Sequence, residues 1–186
     1  MALDTLTVTP ANNLNWTATK NVAGLQPNSN SQSANKNYAY TSAAAVTAAL
    51  GVNEFFASLF TIPSASTVTL DLTSFTDIMG VAATSFARVK FWSMRLLSSG
   101  DTAPDGTTVG TTCTRATIGG LTVSAFPFAW ANSSNAITLD NGGMWSQCCG
   151  STQGITVAAA RSAVQIVNND TNTSAQLLVI FAGATA

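Results

Sequence analysis

Hydrophobic and polar residues alternate along this chain with a period of two much more often than with a helical period. The longest such run is Phe86 to Leu97. Strand side chains point alternately to opposite faces, so Ala87, Val89, Phe91 and Ser93 share one side and Arg88, Lys90, Trp92 and Met94 the other. The first set suits the core face of a sheet. The second places two cations beside an indole and a thioether, as on a face that is solvated or meets a partner. Arg95 follows with the opposite parity, which predicts a bulge or a strand end near Ser93 and Met94.

The same alternation predicts shorter strands on both sides of this one. Upstream they are Leu3 to Thr9, a weaker stretch from Asn15 to Leu25, Asn53 to Ile62 ending at Pro63, and Thr67 to Leu72. Tyr38 to Leu50 is alanine-rich and a helix competes there. Its β-branched Thr41, Val46 and Thr47, with Gly51 closing it, favour a strand. Asp77 to Gly80 suits a single helical turn. Downstream come Thr107 to Ile118, Leu121 to Phe128, Ala136 to Leu139, Met144 to Cys148 and Ile155 to Ala159. Turn formers separate them at Gly100 to Gly106 and at Asp140 to Gly143, the latter a hairpin-type sequence. Val164 to Val167 and Ala175 to Phe181, flanking Asn168 to Asn172, read as a closing hairpin.

Gln26 to Asn37 contains no hydrophobe larger than alanine. Burial there cannot offset the entropy of ordering, so the segment is expected to be an exposed loop, or an arm that orders only against a neighbouring subunit. The whole pattern predicts an all-β fold: one β-sandwich or jelly-roll-like domain over residues 1–186, with 26–37 as a flexible loop or arm.

Composition narrows the function more than it names it. The chain has 186 residues, enough for a sizeable core without disulfides or metals. Charged residues are only 8% of it, against about 25% in an ordinary globular domain. Charge normally keeps soluble monomers apart, so such a surface suits a subunit that hides much of itself in an assembly. A net charge of −1 argues against a dedicated nucleic-acid binder. Met1 to Asp4 lacks the basic region and apolar core of a signal peptide, and no apolar run reaches membrane-span length; production in the cytoplasm is expected. Cys113, Cys148 and Cys149 read as buried thiols.

Catalytic chemistry is hard to assemble from these residues. There is no histidine, which removes the usual general base and the commonest metal ligand. Phosphate-binding loops, nucleophile elbows and dinucleotide fingerprints are absent from the sequence. The spacing of Asp71 and Asp77 carries no specificity as a carboxylate pair. Asp101, Asp105 and Gly106 lack the remaining ligands of a calcium loop and read as a turn. Glycosylation triplets begin at Asn15, Asn132, Asn169 and Asn172, as chance provides in a chain so rich in Asn, Ser and Thr. The expectation is a non-enzyme without cofactor or metal. Its candidate intersubunit contacts are Arg88, Lys90 and Arg95, with Asp71, Asp77 or Asp140 as acidic counterparts.

Three pieces in order carry a resemblance: Leu70 to Gly80 leading into Phe86 to Lys90; Ile137 to Gly143; and Gln165 to Asp170 through Leu178 to Gly183. Together they resemble small β-rich virion proteins, head-associated or decoration-like, of tailed phages. The similarity covers roughly the last 120 residues; the chain departs from the pattern around Gly100 to Thr114 and at Cys148 and Cys149. The resemblance implies a virion structural subunit, in the shell, as decoration or at the tail, assembled in the host cytoplasm as a symmetric homo-oligomer. Its partners would be itself and other virion proteins, with no membrane. The alternative is a receptor- or glycan-binding module of a phage tip or fibre, with Trp92, Trp130 and Trp145 stacking on sugar rings.

Overall fold

The computed structural model describes residues 7–8, 11–20, 28–37, 40–41, 51–76, 85–103, 106–119, 124–125, 136–148, 154–158 and 161–185. Fourteen strands lie among them and no helix. In chain order they are β1 (Thr7–Val8), β2 (Ala11–Lys20), β3 (Asn28–Asn37), β4 (Tyr40–Thr41), β5 (Glu54–Ile62), β6 (Thr67–Asp71) and β7 (Arg88–Leu96). After these follow β8 (Arg115–Gly119), β9 (Ser124–Ala125), β10 (Ala136–Asp140), β11 (Met144–Cys148), β12 (Ile155–Thr156), β13 (Arg161–Asn168) and β14 (Ala175–Ala184). The expected all-β class is observed, and the architecture is a β-sandwich. The segments 42–50 and 77–80, where helical structure competed, lie outside the described residues.

Two sheets face each other. The first has the order β10-β8-β13-β6 and the second β11-β7-β14-β5, all antiparallel along these paths. Short β9 adds to β13, and β12 continues the β11 edge of β7. The inward rows explain why the sheets stay together. Leu70, Ala116, Ile118, Ile137, Leu139, Val164 and Ile166 come from the first sheet. Phe56, Ile62, Trp92, Met94, Leu96, Leu177, Val179 and Phe181 come from the second, in the same cluster. Burying one such large side chain contributes about 1.5–3 kcal/mol. Phe75 and Phe86, from the connection between β6 and β7, close one side. Their rings stack at 4.7 Å, and Phe75 meets Phe56 edge-on at 5.3 Å.

Two segments that read as hairpins are sandwich corners instead. β10 and β11 belong to different sheets, and so do β13 and β14. A hairpin and a corner demand the same sequence, two half-buried strands around a polar turn. What decides is the side chain that holds the turn. At the second corner Asn168 is buried and ties the turn inward, so β14 leaves for the opposite sheet.

Alternation also misplaced the faces of β7. Trp92, Met94 and Leu96 are fully buried core residues, not a solvated face. The bulge lies at Lys90 rather than at Ser93 and Met94. On β14, Ala182 pairs with Phe91 and Gly183 with Val89; on the other side Cys148 pairs with Phe91 and Ile155 with Val89. Lys90 is thus the residue both neighbours skip, and strand parity changes there. Gly183 sits at this bulge because any Cβ would collide with the Arg88 carbonyl oxygen.

The polar stretch expected as a loop is also different. Asn28–Asn37 is strand β3, paired residue for residue with β2 from Ala11↔Asn37 to Lys20↔Asn28. The ladder supplies the backbone hydrogen bonds that burial could not motivate. Of the expected strands near the N-terminus, Thr7–Val8 forms as β1, and β2 begins earlier than Asn15.

Candidate functional site

The three basic residues singled out from the sequence do not form one surface. Arg88 is half-buried at the start of β7, paired with Thr156 and Ala184. Lys90 has no exposed surface; its Nζ donates to the Gly51 carbonyl at 2.7 Å. Burial, and then the charge of Arg88, lower its pKa from the ordinary lysine value. Lys90 is therefore corrected from a solvated contact to an internal tie. It fixes Gly51 just before β5, where Asn53 is also held: its N–H donates to Gly183 O, its Nδ2 to Thr185 Oγ1, and its Oδ1 accepts from Thr185 N. Arg95 points to its own chain and pairs with Asp101 at 2.6 Å, the two side chains 42% and 21% exposed.

Asp101 holds a turn rather than a metal. Its carboxylate takes the Ser98 N–H at 2.8 Å and the Ser98 hydroxyl at 2.9 Å besides Arg95. These hydrogen bonds, the Ser98 amide first, lower its pKa. Asp71 caps its own turn in the same way, accepting from the Thr73 amide and hydroxyl. Burial raises its pKa, but those bonds outweigh it and the net shift is downward. Asp77 and Asp105 lie outside the described residues, and no group of metal-ligating side chains occurs among those described. No described helix is long and apolar enough to cross a membrane.

The most connected polar group is one the sequence reading passed over. Asn168 Nδ2 lies 2.8–3.1 Å from the carbonyls of Ile62, Pro63 and Thr173. Its Oδ1 accepts from the Asp170 amide at 2.9 Å and from Cys113 Sγ at 3.2 Å. Asp170 then accepts from the amides of Asn172, Thr173 and Thr114, which lower its pKa. Four connecting segments meet here: the β5–β6 turn, the approach to β8, and both sides of the β13–β14 corner. Cys113 is buried and free, as expected of its thiol; burial raises its pKa. The signal in the sequence was an Asn at strand parity, two residues after the inward-facing Ile166 and just before the turn residues Asn169 and Asp170. Parity alone marks it as inward.

Trp92 is fully buried and Trp145, partly buried, stacks on it with centroids 6.4 Å apart. These rings serve the core. Trp130 lies outside the described residues.

No family profile, curated protein or solved structure matches this chain.

Proposed function

We propose that the sandwich is an eight-stranded jelly roll and that the chain is a non-enzymatic virion structural subunit, self-assembling into a symmetric homo-oligomer. Strand order is the observation that carries this. With β5, β6, β7, β8, β10, β11, β13 and β14 taken as first to eighth, one sheet runs first, eighth, third, sixth. The other runs second, seventh, fourth, fifth. That order results when four nested strand pairs, first with eighth through fourth with fifth, roll up into two sheets. Viral shell domains and lectins share this architecture.

Between those two, the surface favours the shell. The described Trp92 and Trp145 rings lie in or against the core rather than on a sugar-binding surface. On the outward side of the second sheet, half-buried Phe55, Ala57 and Leu59 on β5 stand near half-buried Ile180 and Leu178 on β14, with Ser93 and Arg95 next in the row on β7. With only 15 charged residues in 186, such a face suits association between copies. A place in the virion, assembly in the host cytoplasm and contact with other virion proteins follow from this reading. Electron microscopy of the purified protein tests it, with regular shells, rings or tubes expected. A monomer by light scattering at high concentration would overturn it.

A further inference from the structure

The main paths of the two sheets end in four strands, β10 and β6 in the first and β11 and β5 in the second. The edge of a sheet presents a row of backbone N–H and C=O groups to any strand that can pair with it. Proteins blunt such edges with short strands, lysine, proline or a bulge. β6, β10 and β11 are short, with five residues each. β5 has none of these protections. It runs for nine residues without lysine or proline, and it pairs with β14 in one unbroken register from Ile62↔Ala175 to Glu54↔Gly183. Among the described residues, none pairs with the other side of residues 55–60.

This edge is complementary to itself. Two copies related by a two-fold axis would set their β5 strands antiparallel, and each face stays continuous only where inward residues oppose inward residues. Centring the axis on Ser58 is the register that pairs all nine residues. Phe56 of one copy then stands opposite Phe60 of the other, and Ala57 opposite Leu59. The first rung extends the core rows, since Phe56 is buried in the cluster and Phe60 packs against it. The second extends the outward row, where Ala57 and Leu59 are half-buried. Ser58, small and half-buried, meets its own copy on the axis. The strand's one charged residue, Glu54, stands opposite Ile62. The two glutamates lie at opposite ends of the pair, about 27 Å apart at strand rise. That is well beyond the screening length of about 8–10 Å. A parallel pairing in register would set them side by side.

We infer that β5 is a dimer-forming edge, pairing antiparallel about a two-fold axis at Ser58 with β5 of a second copy of this chain. The β11-β7-β14-β5 sheets of the two copies become one continuous sheet. The inference rests on the self-assembly reading and names the strand that makes the contact. An isologous pair of this kind occupies both edges and closes at two copies, so larger assemblies are built from dimers.

The test uses the full-length chain carrying Ser58→Cys, mildly oxidised and resolved on a non-reducing gel. Directly opposed residues have Cα atoms about 4.5–5.5 Å apart, within the span of a disulfide. A covalent dimer should form at least about tenfold faster than from Thr69→Cys, whose exposed position on β6 reports the rate of chance collision. Ala57→Lys adds the lysine that this edge lacks, on its outward row where the charge can reach water. In sedimentation it should raise the dimer's dissociation constant about tenfold or more, with melting of the dissociated subunit unchanged. Cross-linking of Ser58→Cys no faster than Thr69→Cys would overturn the edge contact, while a wild type that still sediments as an oligomer would leave self-assembly standing. Assembly by Ala57→Lys as tight as wild type would overturn it in the same way. A wild type that stays monomeric at high concentration would overturn both. Lowered melting of Ala57→Lys together with slow cross-linking of Ser58→Cys would place another part of the same chain on β5, and overturn pairing between copies.

Discussion

Each end of the sandwich hides a polar residue that strand alternation mistook for an ordinary position, and the two are held in opposite ways. At the end where β13 stops, neutral Asn168 has its amide nitrogen close to three carbonyls while its oxygen accepts two donors. At the end where β14 stops, charged Lys90 reaches the Gly51 carbonyl from a bulge. The first is a neutral hub whose hydrogen-bonding capacity is filled. The second keeps a cation out of water, which is costly unless compensated. Removing a filled hub should therefore hurt the fold, whereas removing a buried charge can relieve it.

The largest effect is expected at the hub. Asn168→Ala strips donors from the carbonyls of Ile62, Pro63 and Thr173 and an acceptor from Asp170 N–H, all at a buried corner. The cost should be about 3 kcal/mol, the scale of buried polar groups left unpaired. Chemical denaturation would measure it; a cost below roughly 1 kcal/mol would mean that the corner holds without its hub.

Lys90→Met should cost much less, within about 1 kcal/mol of neutral at pH 7, because an apolar side chain of similar length replaces a buried charge. The pH dependence gives a sharper contrast. The folded pKa of Lys90 lies below its ordinary 10.5, so between those two values the unfolded chain binds more protons than the folded one. Stability from this residue therefore rises with pH through that window. Cys113, whose folded pKa is raised above 9.0, acts in the opposite sense at alkaline pH. The difference between wild type and Lys90→Met isolates the lysine. If the two proteins show the same pH dependence there, Lys90 is not a buried cation.

This pair also shows what could be read from the sequence. Class and most strand positions follow from period-two alternation, since rows such as Leu177, Val179 and Phe181 face inward without exception. Alternation fails where a bulge resets parity, as at Lys90, because a skipped residue leaves no compositional mark. It fails also at Asn168, where hairpin and corner share one pattern and the decision rests on bonds to Ile62 and Pro63, about a hundred residues away in sequence. β3 was missed for a related reason: its polar run is ordered by its pairing with β2, and pairing is a property of two segments.

Acid should loosen the hub end through its carboxylates. Asp170 and Asp101 both have folded pKa values below the ordinary 3.8. Their contributions are full above 3.8 and are lost as pH falls through the folded values. Asp170→Asn should therefore flatten the fall in stability on acidification below about pH 4. An acid transition identical to wild type would show that the amides of Asn172 and Thr114 do not favour the charged carboxylate.

The smallest effect on the fold is expected at Arg95. Its pair with Asp101 is partly exposed, and such pairs contribute about 0–1 kcal/mol. Asp101 would also keep the Ser98 amide and hydroxyl without it, so the turn retains its cap. Arg95→Gln should change stability by about 0.5 kcal/mol or less, measured by denaturant midpoint. That small cost makes the variant a clean probe of assembly. Arg95 was expected from sequence to meet a neighbouring subunit, and the structure gives it an acid on its own chain. If that intrachain pair is its whole role, Arg95→Gln subunits should sediment as wild type does at low and high salt. A salt-sensitive loss of assembly with the melting unchanged would instead assign Arg95 a second, intersubunit partner.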